Sequence, residues 1–163
     1  MTIILKNKDT LTFDEFKFKC CIGKSGLAQK KTEGDKKTPK GIFSLGPLFF
    51  RKDKYKNIET KLKKIPILKN MAWCDDPLHQ KYNKLVKINK ILHYEKLFRK
   101  DYKYDLLIPI NYNTKKTKPY LGSAIFLHLT KDFKPTLGCI ALKESDFLIL
   151  IKLISKKTKI KII

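Results

Sequence analysis

The chain has 163 residues, of which 42% are hydrophobic and 32% charged, and this indicates one globular domain rather than two domains or a disordered chain. The formal net charge of +22 favours an anionic partner, which can be nucleic acid, a membrane surface or an acidic cell-wall polymer. Only Arg51 and Arg99 are arginine. This disfavours specific nucleic-acid recognition, because arginine grips phosphate bidentately whereas lysine acts as a solvated point charge. The lysine excess also fits a solvated basic surface.

The polarity pattern predicts a mainly β chain with one C-terminal helix. No apolar run reaches the roughly 20 residues of a membrane-spanning helix, and no secretory signal is visible, so a cytoplasmic location stays open. In chain order we expect a hairpin over 2–13 turning at 7–9, strands over 16–23 and 41–50, a surface excursion over 51–69, one or two helical turns over 95–100, strands over 104–110, 124–129 and 137–142, a helix over 144–154 with Ser145 as N-cap, and a final strand over 159–163.

The four cysteines differ in their surroundings. The spacing of Cys20, Cys21, Cys74 and Cys139 contains no C-x-x-C pair, and the three histidines contain no H-x₃₋₅-H pair, so we predict no metal site. Cys20 and Cys21 lie in a strand-like run and are interpreted as structural.

Cys139 follows a glycine, and His128 ends an apolar run eleven residues earlier. A thiol needs a nearby imidazole to become a good nucleophile at neutral pH, here by forming an ion pair. If the two runs are neighbouring strands and the side chains share a face, His128 and Cys139 can meet. The spacing alone favours the alternative, a core cysteine beside a hydrogen-bonded histidine.

Two motifs in a fixed order add information. His128 is followed, after a gap, by Thr136-Leu137-Gly138-Cys139, and residues 34–43 read Gly-Asp-Lys-Lys-Thr-Pro-Lys-Gly-Ile-Phe. Together they resemble the L,D-transpeptidases with a YkuD-type catalytic domain, whose signature is a histidine, a gap and then Ser/Thr-His-Gly-Cys. The segments 73–77, 93–95, 104–106 and 111–113 are similar to a compact branch of that family. The resemblance covers residues 15–163 of a chain interpreted as a single catalytic domain over 1–163.

The resemblance implies a YkuD-like β-sandwich of mixed sheets and an enzyme without a cofactor. Cys139 would attack the third residue of a peptidoglycan stem peptide and expel the terminal D-alanine. The amine of a second stem would then resolve the thioester. His128 would move the protons, and the N–H groups of Leu137, Gly138 and Cys139 would hold the oxyanion. The family resemblance also implies a location in the cell envelope or periplasm.

Six further residues are candidates for substrate binding, five of them with an ordinary structural alternative. Trp73 could be packed in the core, Asp75 and Asp76 could cap a turn, His93 could form a surface pair with Glu95, and Tyr112 could belong to a turn. The six candidates are Thr136, Trp73, Asp75, Asp76, His93 and Tyr112.

Three departures from the family pattern leave the reaction open. Leu137 replaces the usual second histidine, Ala141 replaces a common asparagine, and the gap between His128 and Thr136 is short. A smaller acceptor side would let water resolve the thioester, which would make the protein an L,D-carboxypeptidase-like hydrolase. The rival from another class is a non-catalytic, lysine-rich module that binds nucleic acid or an anionic envelope polymer and in which Cys139 is inert.

Overall fold

Short β-strands make up most of the regular structure. The computed structural model describes residues 1–90 and 93–163. The described strands are β1 Thr2–Asn7, β2 Thr10–Phe13, β3 Phe16–Cys21, β4 Leu27–Ala28, β5 Thr38–Pro39, β6 Gly41–Ser44, β7 Leu48–Phe50, β8 Lys64–Pro66, β9 Met71–Cys74, β10 Leu85–Lys87, β11 Tyr94–Lys96, β12 Leu106–Pro109, β13 Phe126–Leu129, β14 Ile140–Leu142 and β15 Lys159–Ile162. Helix α1 covers Glu144–Leu153.

Ten of these strands form one curled, mixed sheet. Its strand order is β6-β15-β1-β2-β3-β14-β13-β12-β7-β8. The curl brings the end of β6 back to β12, where Leu45 and Ile110 form an isolated bridge and the Gly46 N–H donates to the Pro109 carbonyl at 2.8 Å. A second sheet, ordered β10-β9-β11, and the β4-β5 pair complete the described strands.

The central strands β12, β13 and β14 are buried on both faces, as their nearly continuous apolar runs predict. Alternation along β13 sends Leu127 and Leu129 into the main core and Phe126 into a second, smaller core. The second core also holds Trp73 of β9 and Cys139. It therefore lies between the curled sheet and the three-stranded sheet, at the place where the candidate nucleophile is found.

The mainly β architecture with one C-terminal helix is confirmed. Helix α1 buries Phe147, Leu150 and Ile151 in the main core, and Glu144 in its first turn complements the helix dipole. Ser145 is not the N-cap: the helix begins one residue earlier and has no side-chain cap hydrogen bond. Among the described residues, no helix combines the length and the apolarity that crossing a membrane demands.

Three local predictions are corrected. The strand expected over 41–50 is two strands, because Gly46 packs against Pro109 so closely that an added Cβ would lie 3.1 Å from it. Residues 94–96 form β11 instead of starting a helical turn, because they pair with β9. The excursion over 51–69 contributes the edge strand β8, where Pro66 is tolerated because an edge strand need not donate every N–H.

Candidate active site

The backbone brings His128 and Cys139 to the same face of two adjacent strands. Strands β13 and β14 are parallel neighbours, and the Cα partner of His128 is Ala141. Partnered residues on neighbouring strands point to the same face, as do residues two apart along a strand. Cys139 is two residues before Ala141, so its side chain shares the face of His128. The interpretation of these runs as neighbouring strands is confirmed by the pairing.

Both side chains line a cleft of about 700 Å³. Thr136, Leu137 and Asp75 line it as well. Its charged walls are nearly balanced, with five basic and four acidic side chains: Lys31, Lys36, Arg99, Lys103 and Lys134 against Glu33, Asp75, Glu95 and Asp132. The net charge of +22 is therefore carried almost entirely by residues outside this cleft.

His128 is held as a neutral base. Its Nδ1 lies 2.9 Å from the Leu129 carbonyl oxygen, which can only accept, so Nδ1 carries the proton and the Nε2 lone pair is left for chemistry. The Tyr104 ring packs edge-on against the imidazole, with centroids 5.3 Å apart. Burial lowers the pKa of His128 to about 4, because the low-dielectric surroundings disfavour the imidazolium.

Cys139 is held as a neutral thiol. Its side chain is 7% exposed; Sγ donates to the Ala124 carbonyl at 3.3 Å and accepts from the Phe126 N–H at 3.4 Å. Burial, followed by the nearby charge of Glu95, raises the pKa of the thiol to about 12. The expectation of a preformed thiolate–imidazolium pair therefore does not hold for the resting site, where both groups are neutral.

A network of hydroxyl and backbone groups fixes the loop that carries Cys139. Thr136 Oγ1 donates to the Cys139 carbonyl at 2.7 Å and accepts from the Gly138 N–H at 3.1 Å. Thr38 Oγ1 donates to the Gly138 carbonyl at 2.8 Å and accepts from the Gly23 N–H at 2.9 Å. The motif over 34–43 thus contacts the loop that carries Cys139 directly through its threonine.

The three predicted oxyanion donors differ in availability. The Gly138 N–H is engaged by Thr136. No group of the described residues accepts a hydrogen bond from the N–H of Leu137 or Cys139, so these two donors have no partner within the protein. Gly138 has φ +139°, and an added Cβ would lie 2.9 Å from the Lys37 carbonyl; this position therefore requires glycine.

A partly buried polar cluster in the cleft wall is not foreseen by the motifs. The Tyr104 hydroxyl donates to the Glu95 carboxylate, and the guanidinium of Arg99 lies 3.8 Å from the same carboxylate and 4.8 Å from the centre of the Tyr104 ring. Burial raises the pKa of Glu95. The resemblance links Glu95 with His93, but their spacing gives no signal for the contact with Tyr104.

Four of the predicted substrate-binding residues are not among the described residues that line the cleft. Trp73 is buried behind it and donates from Nε1 to Asn83 at 2.9 Å. Asp76 accepts from the Leu78 N–H at 3.0 Å, an ordinary turn contact. His93 is 2.6 Å from Asp75 rather than paired with Glu95. Tyr112 donates to the Leu121 carbonyl at 2.6 Å.

Within residues 1–90 and 93–163, no cluster of three His, Cys, Asp or Glu side chains is arranged to hold a metal ion. All four cysteines are free thiols in buried positions. The cleft holds the Cys139 thiol and the His128 imidazole.

The fold places a thiol and an imidazole in one cleft of a β-rich domain. A family model described as the L,D-transpeptidase catalytic domain, YkuD, matches residues 1–162. The chain belongs to this family, and the match includes the N-terminal hairpin that the motif resemblance left out. A search of curated proteins found no match to the chain.

Proposed function

We propose that this chain is a cysteine acyltransferase that acts on peptidoglycan stem peptides, with Cys139 as the nucleophile and His128 as the base and acid. The observation that carries the proposal is the placement of the thiol and the imidazole on one face of β13 and β14, in a cleft they share. Family membership supplies the substrate class, since these domains are L,D-transpeptidases.

In the acylation step the thiol proton moves to Nε2 of His128 as Sγ attacks the carbonyl carbon of the third stem residue. Because both groups are neutral at rest, proton transfer accompanies the attack instead of preceding it. The free N–H groups of Leu137 and Cys139 would bind the oxyanion. When the C–N bond breaks, the imidazolium gives its proton to the departing D-alanine amine, and a thioester remains on Cys139.

In the second step an amine of another stem attacks the thioester. Neutral His128 takes the amine proton, the new amide forms, and the proton returns to the departing sulfur. The nearly balanced charge of the cleft walls suits stem peptides, which carry both carboxylates and an amine. The lysines outside the cleft would favour an anionic cell-wall polymer as an additional partner, and we place the reaction in the cell envelope because its substrate is there.

Incubation of the protein with tetrapeptide muropeptides tests this proposal. Intact-mass measurement should detect an acyl adduct on Cys139 together with released D-alanine. The Cys139→Ala variant should lose both. Cys21→Ala is the matched control, because Cys21 is also 7% exposed but does not line the cleft; it should retain both. Full D-alanine release by Cys139→Ala would overturn the proposal.

The products separate the alternatives. Cross-linked dimers require transfer to an amine, whereas free tripeptides indicate a hydrolase on the same scaffold. The non-catalytic alternative predicts neither product and a strongly salt-dependent binding to anionic polymer that is unchanged in Cys139→Ala.

A further inference from the structure

A buried lysine lies beside the candidate nucleophile. Lys31 is 5% exposed. Because lysine is almost never fully buried unless it is paired, its partner has to be identified. Its Nζ donates to the Asp35 carboxylate at 2.6 Å, and the Thr32 carbonyl is the next acceptor at 3.5 Å. Lys31 also lines the cleft that contains Cys139 and His128. An ammonium group is thus fixed at the wall of the site.

Two glycines make room for this side chain. An added Cβ on Gly122 would lie 2.7 Å from Lys31 Cε, and an added Cβ on Gly138 would lie 3.7 Å from Lys31 Nζ. Gly138 directly precedes Cys139. The side chain therefore passes over Gly122 and ends next to the peptide that carries the nucleophile.

The charges around the thiol explain why a cation is needed there. Burial, and then the charge of Glu95, raise the pKa of the Cys139 thiol. The Phe126 N–H, the Lys31 ammonium and the Tyr104 hydroxyl lower this pKa, and Lys31 is the charged group among the three. His128 is neutral and adds no positive charge before it accepts the proton. Leu137, 76% exposed, carries no charge at the position where the family signature has its second histidine.

We propose that the Lys31 ammonium is the positive charge that stabilises the anion formed at Cys139, and that Asp35 limits how much of this charge the sulfur experiences. The inference rests on the proposed function in taking Cys139 as the nucleophile. As the S–H bond breaks, the proton goes to Nε2 of His128 and the electron pair stays on sulfur. The positive charge of Lys31 stabilises this anion, which the nearby Glu95 carboxylate repels.

The rate of alkylation of Cys139 by iodoacetamide, followed by peptide mapping between pH 7 and about pH 9, measures this effect without any peptidoglycan substrate. Lys31→Met should lower the rate by about tenfold at each pH, the effect of a rise of one unit in the thiol pKa. Asp35→Asn should raise the rate, because Lys31 then loses its counter-charge. Lys30→Met, a change at the exposed neighbouring lysine, should leave the rate within about twofold of the parent.

The opposite signs separate a charge effect from a structural one. If Lys31 and Asp35 merely hold the loop together, both variants should change the rate in the same direction, and that result would overturn the inference. An unchanged rate in Lys31→Met would overturn it too. If Lys31→Met does not fold, the direction found in Asp35→Asn decides. If the variants do not change the alkylation rate but muropeptides still acylate Cys139, only the role of Lys31 is refuted. If the alkylation rates change as expected but muropeptides do not acylate Cys139, only the proposed substrate is refuted.

Discussion

Thr38 provides the sharpest stability test, because its hydroxyl joins the upstream motif to the nucleophile loop. The side chain is fully buried. It donates to the Gly138 carbonyl at 2.8 Å and accepts from the Gly23 N–H at 2.9 Å. Thr38→Val keeps the shape and removes the hydroxyl, which leaves a buried donor and a buried acceptor without partners.

Each buried group left unsatisfied costs about 1–3 kcal/mol, so Thr38→Val, which leaves two, should lower the free energy of unfolding by about 2–6 kcal/mol. This is a large part of the stability of one domain. Urea denaturation measures the loss from the transition midpoint at constant slope. Thr38→Ser retains the hydroxyl and should lose only about 1 kcal/mol for the missing methyl group. Equal losses in the two variants would show that the hydroxyl does not join the two loops.

The remaining predictions concern His128 and Asn83. Burial lowers the pKa of His128 to about 4 from 6.5, so the unfolded chain takes up the proton first as the pH falls. About 3 kcal/mol of stability is therefore lost between pH 6.5 and about pH 4. His128→Gln should remove this pH dependence, and parallel curves of stability against pH for the two proteins would contradict the assignment. Asn83 is 3% exposed and accepts from Trp73 Nε1 at 2.9 Å and the Ala124 N–H at 3.0 Å. Its Nδ2 also donates to the carbonyls of Tyr112 and Asn113 at 2.9 and 2.8 Å. Asn83→Leu leaves all of these groups without a partner and should lower the thermal midpoint by several degrees, and an unchanged midpoint would argue against this role.

The strands were predictable where local pattern and tertiary pairing agree. The hairpin over 2–13 and the buried runs around β12, β13 and β14 follow directly from their apolar periodicity. The three-stranded sheet was missed because its strands have three or four residues and are set by pairing with one another. The break within 41–50 had a signal, since Gly46 and Pro47 are adjacent.

In the candidate site, too, some features follow from the local sequence and others only from tertiary packing. The placement of His128 and Cys139 on one face could be predicted because it depends on two strands that are close in sequence. Lys31, Glu95 and Tyr104 could not be assigned by pattern, because the cleft collects them from three separate segments. The neutral state of the thiol and the imidazole was also missed, since it follows from burial and spacing carries no information about burial.

The central claim is that the sulfur of Cys139, served by the imidazole of His128, is the group that becomes acylated. Its most direct test is to trap the protein with a carbapenem-like acylating agent and locate the adduct by peptide mapping. We predict a single adduct on Cys139, formed much more slowly in His128→Gln. An adduct on Cys20, Cys21 or Cys74 in its place, or a rate that does not depend on His128, would contradict the claim.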